Sequence, residues 1–252
     1  MNRVLFLFVG VFLIPGGLFA QSPDQLFAEG NAAYQKGDLA KATELYESIL
    51  HNGYASSDLY YNLGNAYYKL GNLPKSVLNY ERALRLTPGD DDLRHNLQLA
   101  NQMITDRIEP TPRLFIWDWW NSIKNWFSFE TLTWIFYAAF LVEMGAVAAV
   151  IVGRAYRFRR IALLSAAGEL AVLIFFGTIF FTRLTDAHRT DEAIVVAPVV
   201  NVKNSPDDRG SDAFVIHGGL KVQIVDQFGS WTKIRLADGK VGWVESNEFE
   251  VI

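Results

Sequence analysis

Hydrophobic and polar positions change rhythm several times along this chain, and each change marks a different kind of element. Residues Val4–Ile14 form a short unbroken apolar run behind Arg3, closed by Pro15-Gly16-Gly17 and then Leu18-Phe19-Ala20. That is the layout of a secretory signal at 1–20, with cleavage expected after Ala20; an uncleaved third anchor is the alternative. From 21 to 107 the pattern is helical. Thr131–Val152 and Ile161–Thr182 are each apolar over about 22 residues, enough at ~1.5 Å rise per residue to cross a ~30 Å hydrocarbon core. From Glu192 the pattern switches again, to short β-rich runs at 194–196, 214–216, 220–225, 231–236 and 241–244, with a hairpin-turn signal at Ala237-Asp238-Gly239-Lys240. The expected fold is multidomain: helices, a two-helix membrane hairpin, and an all-β domain at 190–252.

The segment 153–160 between the two apolar stretches reads as a turn, and it holds Arg154, Arg157, Arg159 and Arg160. A short loop that basic stays on the cytoplasmic side of a membrane. Both flanks of the hairpin, 131–152 and 161–182, then lead to the opposite compartment. An exported segment beginning at Gln21 agrees with that orientation. Glu143 and Glu169 lie at similar depth inside the hairpin, ~13–17 Å from the arginine end at ~1.5 Å per residue. Intramembrane acids rarely face lipid. They either face each other and share a proton, meet a polar residue on a partner span, or stand neutral through desolvation.

An ungapped internal repeat of 34 residues runs from 23 to 90. Gly30 answers Gly64, Lys36-Gly37-Asp38 answers Leu70-Gly71-Asn72, and Ala42, Tyr46 and Ile49 answer Ser76, Tyr80 and Ala83. With Tyr60, Leu63, Gly64, Tyr67, Tyr80, Ala83 and Pro88 in the second copy, this resembles the tetratricopeptide repeat (TPR), a pair of antiparallel helices. The repeats are placed at 23–56 and 57–90. Asp90-Asp91-Asp92 before Leu93, Leu97 and Ala100 reads as an acidic helix start, so 91–107 is expected to be a capping helix. Two repeats leave apolar surface at the end of the stack, so a partner or a second copy is expected to complete the core. The first helix of each TPR lines a ligand groove. The residues there are Phe27, Asn31 and Tyr34, then Tyr61, Asn62, Asn65 and Tyr68. Rings and amides suit an extended peptide, while intra-repeat packing is the plainer role for any one tyrosine. Phe27 and Asp92 stand where a carboxylate clamp would need basic residues, which argues against that mode.

Glu109-Pro110-Thr111-Pro112 interrupts the helical pattern as a short stiff linker. Trp117, Trp119, Trp120 and Trp126 follow within ten residues, with Ile116, Trp119, Ile123 and Trp126-Phe127 on one side and Asp118, Asn121 and Asn125 on the other. A tryptophan-rich amphipathic helix within 108–130, just ahead of a span, belongs at the lipid headgroups; a docking face for another membrane protein is the alternative.

The order Asn201–Pro206, Gly219–Val222, Gly229–Ile234 and Asp238–Val244 resembles a bacterial SH3-like barrel. Such barrels bind peptides or cell-wall peptide stems, which makes Trp231 and Trp243 the ligand-facing candidates. For Trp243, between Gly242 and Val244, packing inside the barrel is the alternative.

Composition removes several function classes. A formal charge of −4 and the lack of a basic tract outside the hairpin turn argue against nucleic acid as partner. Without cysteine there is no disulfide framework and no thiolate metal site. His51, His95, His188 and His217 are scattered, with no metal-ligand spacing, and neither a phosphate loop nor a GxSxG elbow is present. No cofactor, no metal and no catalysis are expected.

Taken in order, signal segment, TPR pair, tryptophan-rich helix, two-span hairpin and SH3-like tail resemble the BatE family, components of aerotolerance-type operons. The resemblance implies a non-catalytic scaffold in the bacterial cytoplasmic membrane, with both soluble domains on the outer, periplasmic side. Its implied partners are membrane proteins bearing von Willebrand factor A domains, in an envelope stress or assembly complex. The competing expectation is a sensor or tether that binds cell-wall peptide through the SH3-like domain.

Overall fold

The computed structural model describes residues 22–112, 114–187 and 190–252; the signal segment expected at 1–20 lies outside the described residues. Helices α1 (Pro23–Gln35), α2 (Leu39–His51), α3 (Ser57–Lys69), α4 (Leu73–Leu86) and α5 (Asp91–Met103) build the N-terminal domain. Each starts on a side chain that accepts a backbone N–H of its first turn: Ser22, Asp38, Ser56, Asn72 and Asp90. Asp90 caps α5 through the amides of Asp92 and Leu93, and Asp91 pairs with Arg94.

Two repeat glycines are dictated by packing. A Cβ on Gly30 would lie 2.5 Å from the Tyr46 ring, and one on Gly64 2.7 Å from the Tyr80 ring. Both tyrosines are buried, so helices α1/α2 and α3/α4 approach closely only because these positions carry no side chain.

Helix α6 (Phe115–Asn125) leads to α7 (Phe129–Val152) and α8 (Tyr156–Ala187). The last two pack on each other through Leu132 and Ile179, both fully buried, and through stacked Phe129, Phe136 and Phe180. Both are long and apolar enough to cross a membrane, and only 6% and 11% of their most apolar windows are buried. A core helix of a soluble protein would bury most of that surface. The turn is shorter than the sequence implied. It spans Gly153–Ala155, and Arg157, Arg159 and Arg160 stand on the first turns of α8, because arginine is a good helix former and the apolar pattern marks the span, not the helix end.

Strands β1 (Glu192–Val195), β2 (Val199–Lys203), β3 (Asp212–His217), β4 (Lys221–Phe228), β5 (Trp231–Arg235), β6 (Val241–Glu245) and β7 (Phe249–Val251) form one antiparallel sheet in the order β3-β2-β6-β5-β4-β1-β7. All seven contribute to a single core that includes Ala193, Val202, Ile216, Val222, Ile234, Val244 and Phe249, which requires the sheet to curl on itself. The 108–112 linker lies along this domain: Ile108 packs on its core, and the Thr111 amide donates to the Ala237 carbonyl over 3.1 Å.

What covers the end of the helical stack is the chain's own β domain, in place of the partner or second copy expected from the sequence. Ile194 of β1 is fully buried in one cluster with Val77, Tyr80, Leu93 and Leu97, and Ile252 packs beside it. Around that apolar seam run polar ties. Arg82 donates to the Val251 carbonyl at 2.6 Å and Arg85 to that of Ile252 at 2.5 Å. Lys221 bridges Glu81 and Glu192, each at 3.0 Å. Asp106 accepts from the His217 amide at 2.6 Å and pairs with its ring Nδ1 at 2.9 Å.

Candidate functional site

The groove residues come together on one face of the N-terminal domain, built from α1, α3 and α5, and a polar ladder holds them there. Tyr46 Oη donates to Asn31 Oδ1 at 2.7 Å, and Asn62 Nδ2 donates to the same oxygen at 3.0 Å. One repeat later the arrangement recurs: Tyr80 Oη donates to Asn65 Oδ1 at 2.7 Å, and Asn96 Nδ2 to the same oxygen at 3.3 Å. Asn96 Nδ2 also reaches the Tyr61 hydroxyl at 2.8 Å. Burial pushes the Tyr46 phenol up to about 12 and the Tyr80 phenol higher, so both stay protonated donors at any physiological pH.

The ladder fixes the asparagines with part of each amide turned outward. Among the described residues, Nδ2 of Asn31 and Asn65 and Oδ1 of Asn62 and Asn96 have no protein partner. Donors and acceptors therefore alternate along the face, as the backbone of an extended peptide requires. Half-buried Phe27, Tyr34, Tyr61 and Tyr68 flank this row. The Lys69 ammonium sits 4.2 Å from the Tyr34 ring centroid, and the Tyr68 hydroxyl points to Met103 Sδ at 3.1 Å.

Sequence reasoning missed Asn96 and Met103. Asn96 stands 34 positions after Asn62, so the repeat period extended through the capping helix would have found it. For Met103 no such signal exists.

The second face lies on the β domain. In β6, Gly242 and Val244 are buried and Trp243 between them turns outward, so Trp243 is not barrel core. A Cβ on Gly242 would lie 2.3 Å from Val202, which explains the glycine. Trp231 pairs with Glu245 and Lys233 with Trp243, placing Trp231, Lys233 and Trp243 on one outer surface. The Lys233 ammonium lies 5.8 Å from the Trp243 centroid, and exposed Phe228 pairs with Trp231 at the strand end.

In the hairpin, Glu143 and Glu169 are half-buried, and Oε2 of Glu143 is buried with no partner. No hydrogen bond joins the two acids among the described residues. Of the topology arginines, Arg154 is in the turn and the other three are exposed on α8. On α6, Phe115, Ile116, Trp117 and Trp119 are exposed, as is Trp126 just after it. No group of three His, Cys, Asp or Glu side chains could hold a metal ion among the described residues.

A tetratricopeptide repeat family model matches residues 27–91, which carry every ladder residue except Asn96. No curated protein matches the chain. The chain therefore contains TPR repeats, which generally mediate contacts between proteins.

Proposed function

We propose that this chain is a non-catalytic, membrane-anchored adaptor whose TPR groove holds an extended peptide segment of a membrane-protein partner. The observation that carries the reading is the asparagine ladder, which presents alternating donors and acceptors between aromatic side chains. Exposed apolar α7 and α8 support insertion in the bilayer, and the exposed tryptophans of α6 support its lying at the headgroups. The arginines at the tip of the hairpin support a cytoplasmic turn with both soluble domains outside a bacterial cytoplasmic membrane. The order of elements resembles the BatE family, which points to partners bearing von Willebrand factor A domains and to an envelope stress or aerotolerance complex. Glu143, with a buried unpartnered oxygen, would meet a polar group on a partner span, and Glu169 would stand at the same depth.

A pull-down of the full chain from detergent tests the reading, with Tyr34→Ala/Tyr68→Ala as the groove variant. Wild type is expected to recover membrane proteins that the variant loses while its helical content is unchanged. Equal recovery by both removes the groove from the mechanism. A second reading is favoured by the aromatic outer surface of the β domain: a tether in which Trp231 and Trp243 bind cell-wall peptide. Sedimentation of the full chain with peptidoglycan, abolished by Trp231→Ala, would establish that reading instead.

A further inference from the structure

Where the membrane helices meet the soluble domains, a cavity of about 370 Å³ is lined from four directions. Helix α4 contributes Glu81 and Arg85, α6 contributes Asn121 and Lys124, α8 contributes Arg183 and Asp186, and the β domain contributes Glu192 and Lys221. Four cations thus share the lining with three side-chain carboxylates. Lys221 is held by Glu81 and Glu192, Lys124 is paired with Asp186, and Arg85 is engaged by Glu192 at 3.7 Å and by the Ile252 oxygen.

Arg183 is the unusual member. It is only 6% exposed, yet it meets no carboxylate within ion-pair distance among the described residues. Its Nη1 donates to the carbonyls of Lys124 (2.9 Å) and Phe127 (3.2 Å) at the end of α6, and no other hydrogen bond is made by its guanidinium. A guanidinium carries five donors in a planar fork, so most of this one's capacity is unused, and the side chain lines the cavity. Burying such a charge is costly unless something anionic completes it.

We infer that this cavity binds the phosphate of a phospholipid headgroup, with Arg183 as the principal ligand and Lys124, Arg85 and Lys221 supplying the surrounding positive charge. Location selects lipid as the source. The cavity is lined by α8, where that helix leaves its apolar stretch, and by α6, whose exposed tryptophans belong at headgroup depth. Planar guanidinium suits phosphate oxygens, which accept parallel N–H bonds. The inference rests on the membrane reading of α7 and α8.

The test is native mass spectrometry of the full chain in detergent, titrated separately with phosphatidylglycerol, diacylglycerol of the same acyl chains, and inorganic phosphate. Wild type is expected to retain phosphatidylglycerol and not diacylglycerol. Arg183→Gln should weaken retention about tenfold, the worth of one charged hydrogen-bond set. Because Arg183 also anchors α6, Asn121→Trp provides a second variant that fills the cavity from its α6 wall and leaves those bonds intact; it should weaken retention likewise. Equal retention of diacylglycerol, or unchanged retention in both variants, overturns the site. Inorganic phosphate bound as tightly as the lipid would make free phosphate the ligand and overturn the lipid source. Recovery of the chain from cells without detergent would instead refute the membrane reading, and the phosphate titration would still read the site.

Discussion

Removing one asparagine carbonyl from the ladder should damage the groove more than removing the hydroxyl that it receives. Asn65→Ala deletes the acceptor for both Tyr80 Oη and Asn96 Nδ2. Tyr80 is 2% exposed and its ring fills the space left by Gly64, so its hydroxyl cannot swing to solvent. A buried donor stranded this way costs about 1–3 kcal/mol, whereas Tyr80→Phe, which leaves Asn65 still bonded to Asn96, costs about 0.5–1.5 kcal/mol. The double variant Asn65→Ala/Tyr80→Phe strands nothing buried. It should therefore be less destabilised than the sum of the two single changes, a positive coupling between groups in one network. Hydrogen exchange on α3 and α4 in the full chain reads this locally, and 1–3 kcal/mol corresponds to roughly 5- to 150-fold faster exchange in Asn65→Ala. Strict additivity of the three variants would refute the claim that the ladder holds the groove, and with it the claim that its outward amide groups are preset for a peptide.

Gly64→Ala should destabilise by about 1–3 kcal/mol in a thermal melt, through overpacking against Tyr80, although alanine normally favours a helix by roughly 1 kcal/mol over glycine. Stabilisation would mean that the close approach of α3 and α4 is not needed. Ile194→Ala, a change within the β domain, should cost about 2–5 kcal/mol and appear as lost exchange protection in α4 and α5; protection lost only in the β domain would show that the two domains are independent. Lys221 is held above its ordinary 10.5 despite desolvation, which pulls the other way, because Glu81 and Glu192 favour the ammonium. A raised folded value means the contribution is whole below the unfolded value near 10.5 and is lost as pH rises through the folded one. Thermal stability of wild type should therefore fall more steeply above about pH 10.5 than that of Lys221→Met; identical pH profiles of the melting temperature would refute the role of the bridge.

The elements that the sequence disclosed are those whose cause is local and periodic. A 34-residue period set Gly30 against Gly64 and Tyr46 against Tyr80, and unbroken apolarity marked the hairpin. The groove residues followed from repeat position alone. Hidden were contacts made by residues whose neighbours along the chain give no sign of them. Ile194 reads as one more apolar strand position, and Arg82 and Arg85 as solvated charges on a helix, yet together they seat the β domain on α4 across more than 100 residues of chain. Trp243 was ambiguous for a different reason: strand alternation tells inside from outside only once one position is fixed, and Gly242 against Val202 fixes it.

These hidden contacts change what the proposed adaptor can be. Two repeats with a half-repeat cap would ordinarily sit on a loose tether above the membrane, free to turn. Here the β domain covers the end of the stack through Ile194, Asp106 reaches His217, and the Lys221 bridge lies beside the end of α8. Arg183 then ties α8 to the end of α6, and Lys124 ties α6 back to Asp186. Among the described residues, these contacts run from the hairpin through α6 and the β domain to the repeats. On the proposed reading, these contacts would hold the groove at a fixed height and orientation relative to α7 and α8. A groove so placed favours ligands whose own distance from the bilayer is fixed, such as the juxtamembrane segment of a neighbouring membrane protein, because their ordering cost has already been met by the membrane. Inserting a flexible glycine-serine segment between α5 and α6 should therefore weaken capture of such a partner while leaving binding of the same peptide free in solution unchanged; equal loss of both would place the cause in the groove itself.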